Sequence, residues 1–226
     1  MIQLRYTKTN NLTHDQFQYL LMKLPEEMQS KVLRFRFEKD RNMSLISRIL
    51  FMTELSSKFD FNWSDLKYST TGKPYLDKAV FFNWSHSENV VAIGFSLSPI
   101  GVDIEKEKNI DWKSLIDYLH VKEQKAIINS LNPLKKFYEI WTRKEAYLKS
   151  IGSGLSNNME NMNCLPDELG SALVWSIGTT KVLNDYSLSH CTLAPITDVN
   201  LKEIHINELI SALKDSNSNH QHTNQA

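Results

Sequence analysis

Three short runs in this 226-residue chain carry residue types that could do chemistry. Gly101-Val102-Asp103-Ile104-Glu105 reads as a strand, and residues two apart on a strand share a face. Asp103 and Glu105 then point one way while Val102 and Ile104 enter a core. Two carboxylates so close repel each other unless a divalent cation sits between them, and hard oxygen ligands favour Mg²⁺. Alternation of acidic and apolar residues at a solvated strand end would produce the same pattern. The second run is Trp141-Thr142-Arg143-Lys144-Glu145-Ala146-Tyr147-Leu148-Lys149. Positions four apart on a helix are neighbours, so Trp141, Glu145 and Lys149 form one face. An exposed Glu–Lys pair, worth only ~0.3–0.5 kcal/mol, has the same spacing. A bulky Trp141 that shields the pair, and a following Gly152-Ser153-Gly154-Leu155 turn where a ligand or partner backbone can approach, favour function.

The third run is Phe82-Asn83-Trp84-Ser85-His86-Ser87, a strand ending in hydroxyls and an imidazole that suit phosphate oxygens. Asn83 and Ser85 could instead satisfy a turn, with His86 packed. Lys31, Arg34, Arg36, Lys39, Arg41 and Arg48 cluster in one helical segment, and Lys73 sits in a Thr-Gly-Lys-Pro turn. Such a cluster suits a compact phosphorylated small molecule, or is a solvated helix face. There is no G-x-S-x-G elbow, P-loop or Rossmann glycine fingerprint.

The elements that must position these runs follow from periodicity and punctuation. His14 to Leu24 has helical spacing, Pro25 opens a second helix, and Asp40 can open a third with Leu45, Ile49, Met52 and Leu55 as its stripe. Thr70 to Pro74 is a turn. Ala79–Trp84, Val90–Leu97 and Ile100–Glu105 read as strands. Trp112–Leu131 reads as one amphipathic helix and Leu134–Ile151 as another, terminated at Gly152. Ala172–Ile177 and Leu188–Pro195 are strand-like, and Ile204–Leu213 closes as a helix. Asp215 to Ala226 has no large apolar residue and is expected to be disordered. The helix-then-strands order occurs twice, which suggests halves over 1–100 and 101–214, although no sequence repeat proves duplication.

Composition sets the outer limits. Lys plus Arg and Asp plus Glu are each 26, so the formal charge is zero, and the basic excess of a long nucleic-acid interface is missing. The longest apolar runs, such as Val90 to Phe95, are far shorter than the ~18 residues of a membrane span, and Met1 to Tyr6 is no signal region. Cys164 and Cys191 read as reduced cytosolic thiols without metal-ligand spacing. The expectation is a cytoplasmic α/β or α+β protein that contacts neither nucleic acid nor membrane.

Taken together, the motifs resemble the 4′-phosphopantetheinyl transferases of the surfactin type. The likeness lies in Gly72-Lys73-Pro74, Phe82-Asn83-x-Ser85-His86-Ser87, Gly101-x-Asp103-x-Glu105 and Trp141-x-x-Lys144-Glu145-Ala146-x-x-Lys149-x-x-Gly152-x-Gly154-Leu155, in that order and spacing. Val102 stands where the family often has Ile. The resemblance implies two similar, pseudo-symmetric α/β subdomains with the active site in the cleft between them, in a monomer. It implies transfer of the phosphopantetheine arm of coenzyme A to a serine of an acyl or peptidyl carrier protein. By position, Asp103, Glu105 and Glu145 would hold Mg²⁺. Glu145 or a water would take the serine proton, and Lys149 would neutralise the leaving phosphate. Coenzyme A would contact Lys31, Arg41, Lys73, Pro74, Ser85, His86 and Lys149. Leu115, Leu119 and Val121, taken as exposed, would dock the carrier, with the stretch after Gly152. The rival readings are a Mg²⁺-dependent nuclease and a non-catalytic carrier-binding module.

Overall fold

Strands and helices run through two similar passes, followed by a return to the first. The computed structural model describes residues 1–152, 159–165, 175–193 and 198–222, with side chains as far as 215. The first pass is β1 (Ile2–Lys8), α1 (His14–Leu21), α2 (Glu26–Leu33), α3 (Glu38–Ser56), a small hairpin β2 (Leu66–Tyr68) and β3 (Pro74–Leu76), then β4 (Phe81–Ser87) and β5 (Val90–Ser96). The second is β6 (Ile100–Lys106), α4 (Val121–Ile128), α5 (Pro133–Ile151), β7 (Trp175–Leu183) and β8 (Tyr186–Leu193). β9 (Val199–Glu203) and α6 (Ile206–His222) complete the chain.

One sheet has the order β4-β5-β1-β9 and the other β6-β8-β7, so strand, long helix and hairpin recur in each half. β9 runs parallel to β1, pairing Ile2 with Val199 and Tyr6 with Glu203. Ile204, Ile206, Leu209 and Leu213 pack in the core under α1–α3. Residues 198–214, counted with the second half by sequence order, thus join the first. The two sheets share a second core in which Leu4, Tyr6 and Val90 meet Val102, Ile104 and Leu188. A third, of Leu119, Ile127, Phe137, Tyr138 and Ile140, lies under α4 and α5.

Local chemistry explains the boundaries. Asn132 caps α5 by accepting from the Lys135 N–H, and Pro133 follows at the first helical position. Gly152 ends α5 in the left-handed region, at φ 72°. α3 begins at Glu38, two residues before the expected Asp40. The single helix expected over 112–131 is broken into a 3-10 turn (Trp112–Tyr118) and α4. The break falls at His120, whose side chain accepts from the Lys122 N–H while Glu123 reaches back to the His120 N–H. Of the tail expected to be disordered, residues 215–222 continue α6, because extending a helix already anchored by its buried face needs no core of its own, and 223–226 lie outside the described residues. Of the expected strand Ala172–Ile177, positions 172–174 lie outside the described residues, as does Pro195. Among the described residues no helix is long and apolar enough to cross a membrane.

Candidate active site

β6 lies beside β4 from the other half, and polar side chains of β4 stitch the two together. Asn83 Oδ1 accepts from the Val102 N–H at 2.8 Å, and Ser87 Oγ accepts from the Lys106 N–H at 3.1 Å. On the same face Ser85 Oγ donates to Asp103 Oδ1 at 2.9 Å, and Ser87 Oγ donates to a Glu105 oxygen at 2.7 Å. The period of two that aligns Asp103 with Glu105 also aligns Asn83, Ser85 and Ser87 opposite them.

α5 closes on the other side of β6. A Cβ on Gly101 would lie 1.9 Å from the Ala146 carbonyl oxygen and 2.4 Å from the Ser150 nitrogen, so only glycine allows this approach. The approach brings Lys149 Nζ to 2.6 Å from Asp103 Oδ1 and 2.9 Å from Ser85 Oγ. Asp103 is 2% exposed, and its other oxygen, Oδ2, is buried with no hydrogen-bond partner. Burial raises the pKa of Glu145 above the usual carboxylate range, and Asp103 and Glu105 push it further the same way. Burial also raises Glu105, reinforced by Asp103 and opposed by the Ser87 hydrogen bond. Three carboxylates thus face one ammonium.

That imbalance bears on a metal. Among the described residues no group of three acidic, His or Cys side chains stands ready-made around a cation. The donors nevertheless suit one. An orphaned buried carboxylate oxygen and two desolvated glutamates form a hard, anionic, all-oxygen set of the kind Mg²⁺ prefers.

Two cavities flank these groups. One, of about 350 Å³, is lined by Gly72, Lys73, Pro74, Trp84, Glu145 and Lys149. The other, of about 210 Å³, is lined by Phe35, Ser44, Ser47, Arg48, Trp84 and His86. Trp84 walls both, so they adjoin. Burial, and then the Lys149 charge, lower the His86 pKa below its ordinary value. Arg48 donates to the Ser44 carbonyl and hydroxyl through Nη1, while its buried Nε lacks a partner. Ser44 and Arg48 were legible only as part of a basic helical segment, and Ser87 only as a motif neighbour.

The structure brings together Asp103, Glu105, Glu145, Lys149, Ser85, Pro74 and His86. The other expected residues sit as follows. Arg41 Nε donates to the Phe35 carbonyl at 2.7 Å, and Lys31 pairs with Glu27 at 2.7 Å above the Tyr68 ring. Neither lines the two cavities, whereas Ser44 and Arg48 from the same segment do. The Lys73 ammonium donates to backbone carbonyls, and Ser85 is engaged by Asp103 and Lys149. Leu119 is not exposed. It is 1% exposed because the break before α4 turns it into the third core, where Leu115 also packs partly buried. Val121 does face solvent, at 56% exposure, and Tyr118, Ile128 and Leu131 are exposed nearby. Ser153, Gly154 and Leu155 lie outside the described residues. Lys144, quoted only as a motif residue, is fully buried against Glu123 at 2.8 Å.

Comparison with known proteins bears on the family. The 4′-phosphopantetheinyl transferase superfamily model matches residues 99–195, and the N-terminal 4′-phosphopantetheinyl transferase model matches residues 10–97. The chain is 31% identical over 201 residues to a phosphopantetheinyl transferase of Thraustochytrium sp., spanning 74% of this chain and 68% of that one. It is 26% identical over 231 residues to the 4′-phosphopantetheinyl transferase gsp of Aneurinibacillus migulanus, spanning 96% and 97%. It is 27% identical over 158 residues to the 4′-phosphopantetheinyl transferase Sfp of Bacillus subtilis, spanning 67% and 70%.

Proposed function

The chain belongs to the 4′-phosphopantetheinyl transferase superfamily and is a transferase, and on that premise we propose that it moves the phosphopantetheine arm of coenzyme A onto a serine of an apo acyl or peptidyl carrier protein. The by-product is adenosine 3′,5′-bisphosphate. The observation that carries the reading is the unpartnered, buried Asp103 Oδ2 beside two desolvated glutamates and a single lysine. Such a site awaits a cation together with an anionic ligand.

Asp103, Glu105 and Glu145 would hold Mg²⁺. A bound Mg²⁺ neutralises charge on the phosphoryl group under attack. The side chains do the rest. Glu145, or a water it orders, accepts the proton of the incoming serine. Lys149 leaves Asp103 Oδ1 and donates to the departing phosphate, where developing charge makes a preorganised cation most effective. His86 and Ser44 donate to phosphates of the nucleotide end, and Arg48 lends its unpartnered Nε to the same cavity. A phosphate there draws a proton onto His86 that burial otherwise disfavours.

Carrier docking falls on the exposed apolar face of Tyr118, Val121, Ile128 and Leu131, with Leu115 and Leu119 supporting it from beneath. The reading includes a cytoplasmic monomer that acts on a soluble carrier. Mass spectrometry of several apo-carrier proteins incubated with enzyme, coenzyme A and Mg²⁺ tests it. One phosphopantetheine gained on a serine, dependent on both additions, is the expected result. Degradation of DNA by the purified protein, or carrier binding without modification, would replace the reading by one of its rivals.

A further inference from the structure

Lys73 carries an ammonium with three protons and no acceptor. All three have acceptors in the protein. Nζ donates to the carbonyl oxygens of Lys149, of Ser150 at 3.0 Å and of Ile100 at 3.4 Å. Lys73 comes from the turn between β2 and β3 in the first half. Its acceptors are the last turn of α5 and the first residue of β6, in the second. The last carbonyls of a helix have no partner within the helix and carry its negative dipole end, so a cation there is favoured. A Cβ on Gly152, which ends the helix, would sit in van der Waals contact with Lys73 Cδ, at 3.4 Å. The lysine stem therefore lies against the cap it ties down. Burial lowers the Lys73 pKa, and the carbonyls that face the ammonium stand in for the water it loses.

We infer that Lys73 is a positioning residue: its ammonium clasps the C-terminal turn of α5 to the first half and thereby fixes Lys149 over Asp103. The clasp grips the carbonyl of Lys149 itself, the residue whose side chain must swing between Asp103 and the departing phosphate. With its protons committed to carbonyls, Lys73 does not bind coenzyme A phosphate. Its effect on turnover passes through the helix end.

The turnover readout rests on the transferase reading, while amide hydrogen exchange of the free protein does not, so the two can fail separately. Lys73→Met keeps the stem and removes the ammonium; Lys73→Arg keeps a cation that can reach part of the carbonyl cluster. In Lys73→Met, amides of residues 148–152 should exchange at least ~10-fold faster than in wild type, while those of β5 stay unchanged. The single-turnover transfer rate should fall ~10-fold or more, with the coenzyme A dissociation constant within ~2-fold of wild type. Lys73→Arg should recover part of both losses. If coenzyme A affinity falls ~10-fold while exchange and the bound rate hold, Lys73 is a ligand contact and the inference is overturned. It is equally overturned if exchange at 148–152 does not change. Should Lys73→Met fail to fold, Lys73→Arg decides: undiminished coenzyme A affinity with intermediate exchange supports the clasp, and lost affinity with wild-type exchange refutes it.

Discussion

The two halves place an ion pair at the same point of the same framework, with the charges exchanged. β1 and β6 each have seven residues, and α3 and α5 each have nineteen. The fourth residue of the strand is Arg5 in one and Asp103 in the other; the seventeenth of the helix is Glu54 or Lys149. Arg5 Nε meets Glu54 at 3.1 Å, and Lys149 meets Asp103 at 2.6 Å. The difference lies in what surrounds each pair. Arg5 Nη1 also donates to the Leu4 and Asn200 carbonyls and to Asn200 Oδ1, all within 3.0 Å. Asp103 keeps one buried oxygen without a partner. Two residues along the strand, Thr7 corresponds to Glu105. One turn back on the helix, fully buried Leu50 corresponds to Glu145. The first half closes its pair with backbone and amide acceptors and a second cation, Lys58, 3.7 Å from the same Glu54 oxygen, whereas the second surrounds its pair with acids in excess of its one lysine. A pair with its hydrogen bonds complete stabilises a fold, and one left incomplete is available for chemistry.

The comparison breaks most visibly at Asp103. Asp103→Asn keeps the shape and removes the charge that both Lys149 and a cation need. Single-turnover transfer should fall by ~10³-fold or more, with loss of calorimetric Mg²⁺ binding, because the metal and its charge stabilisation go together. Glu145→Gln should be similarly impaired at any Mg²⁺ concentration. Turnover within a few-fold of wild type in either variant would return these acids to the role of a solvated strand and helix face.

Lys149→Ala comes next. It should slow the bound reaction by ~10²–10³-fold, as expected for one lost charge-stabilising group. It also frees Asp103 Oδ1, so Mg²⁺ should bind the free variant at least as tightly as wild type. Weaker Mg²⁺ binding would contradict the exchange of partners at Asp103. Lys149→Arg should recover only part of the rate, since a planar guanidinium does not reproduce a point ammonium. A smaller and different effect is expected at His86. His86→Ala should raise KM for coenzyme A by ~10–100-fold, the worth of a charged hydrogen bond, with kcat nearly unchanged. A collapse of kcat at constant KM would move His86 from binding into the chemistry.

Much of the site was legible because its spacing is local. A period of two aligns Asp103 with Glu105, and a helical turn aligns Glu145 with Lys149. α5 follows from its apolar stripe and its caps. What was missed depends on contacts distant in sequence. Ile2, Leu4 and Tyr6 alternate as a strand should, yet only pairing with β5 and β9 makes β1 central to its sheet. Leu119 looked like a surface leucine inside a continuous helix, and the capping box at His120 broke that helix and buried it. Lys73 was expected only as a coenzyme A contact, because its acceptors belong to residues 27 to 77 positions away. Lys144 likewise gave no sign of its buried partner Glu123.

The smallest expected effect sharpens the comparison most, because it should leave catalysis untouched. Glu54→Leu removes the acid from the first-half pair and leaves Arg5 Nε, largely buried, without its carboxylate. An unmet charged donor in such a place costs about 1–3 kcal/mol. Thermal or denaturant unfolding should register that loss while kcat and KM stay within ~2-fold of wild type. Replacing both partners, Arg5→Met with Glu54→Leu, removes the unmet charge and should restore most of the stability, since a partly buried ion pair does little better than apolar groups of similar volume. The matching replacement in the second half, Asp103→Leu with Lys149→Met, also removes two opposite charges at once. It should recover stability in the same way and recover no turnover at all. If the first-half double variant loses transfer activity together with stability, the Arg5–Glu54 pair is coupled to the cleft, and the division into a closed structural pair and an open chemical one fails.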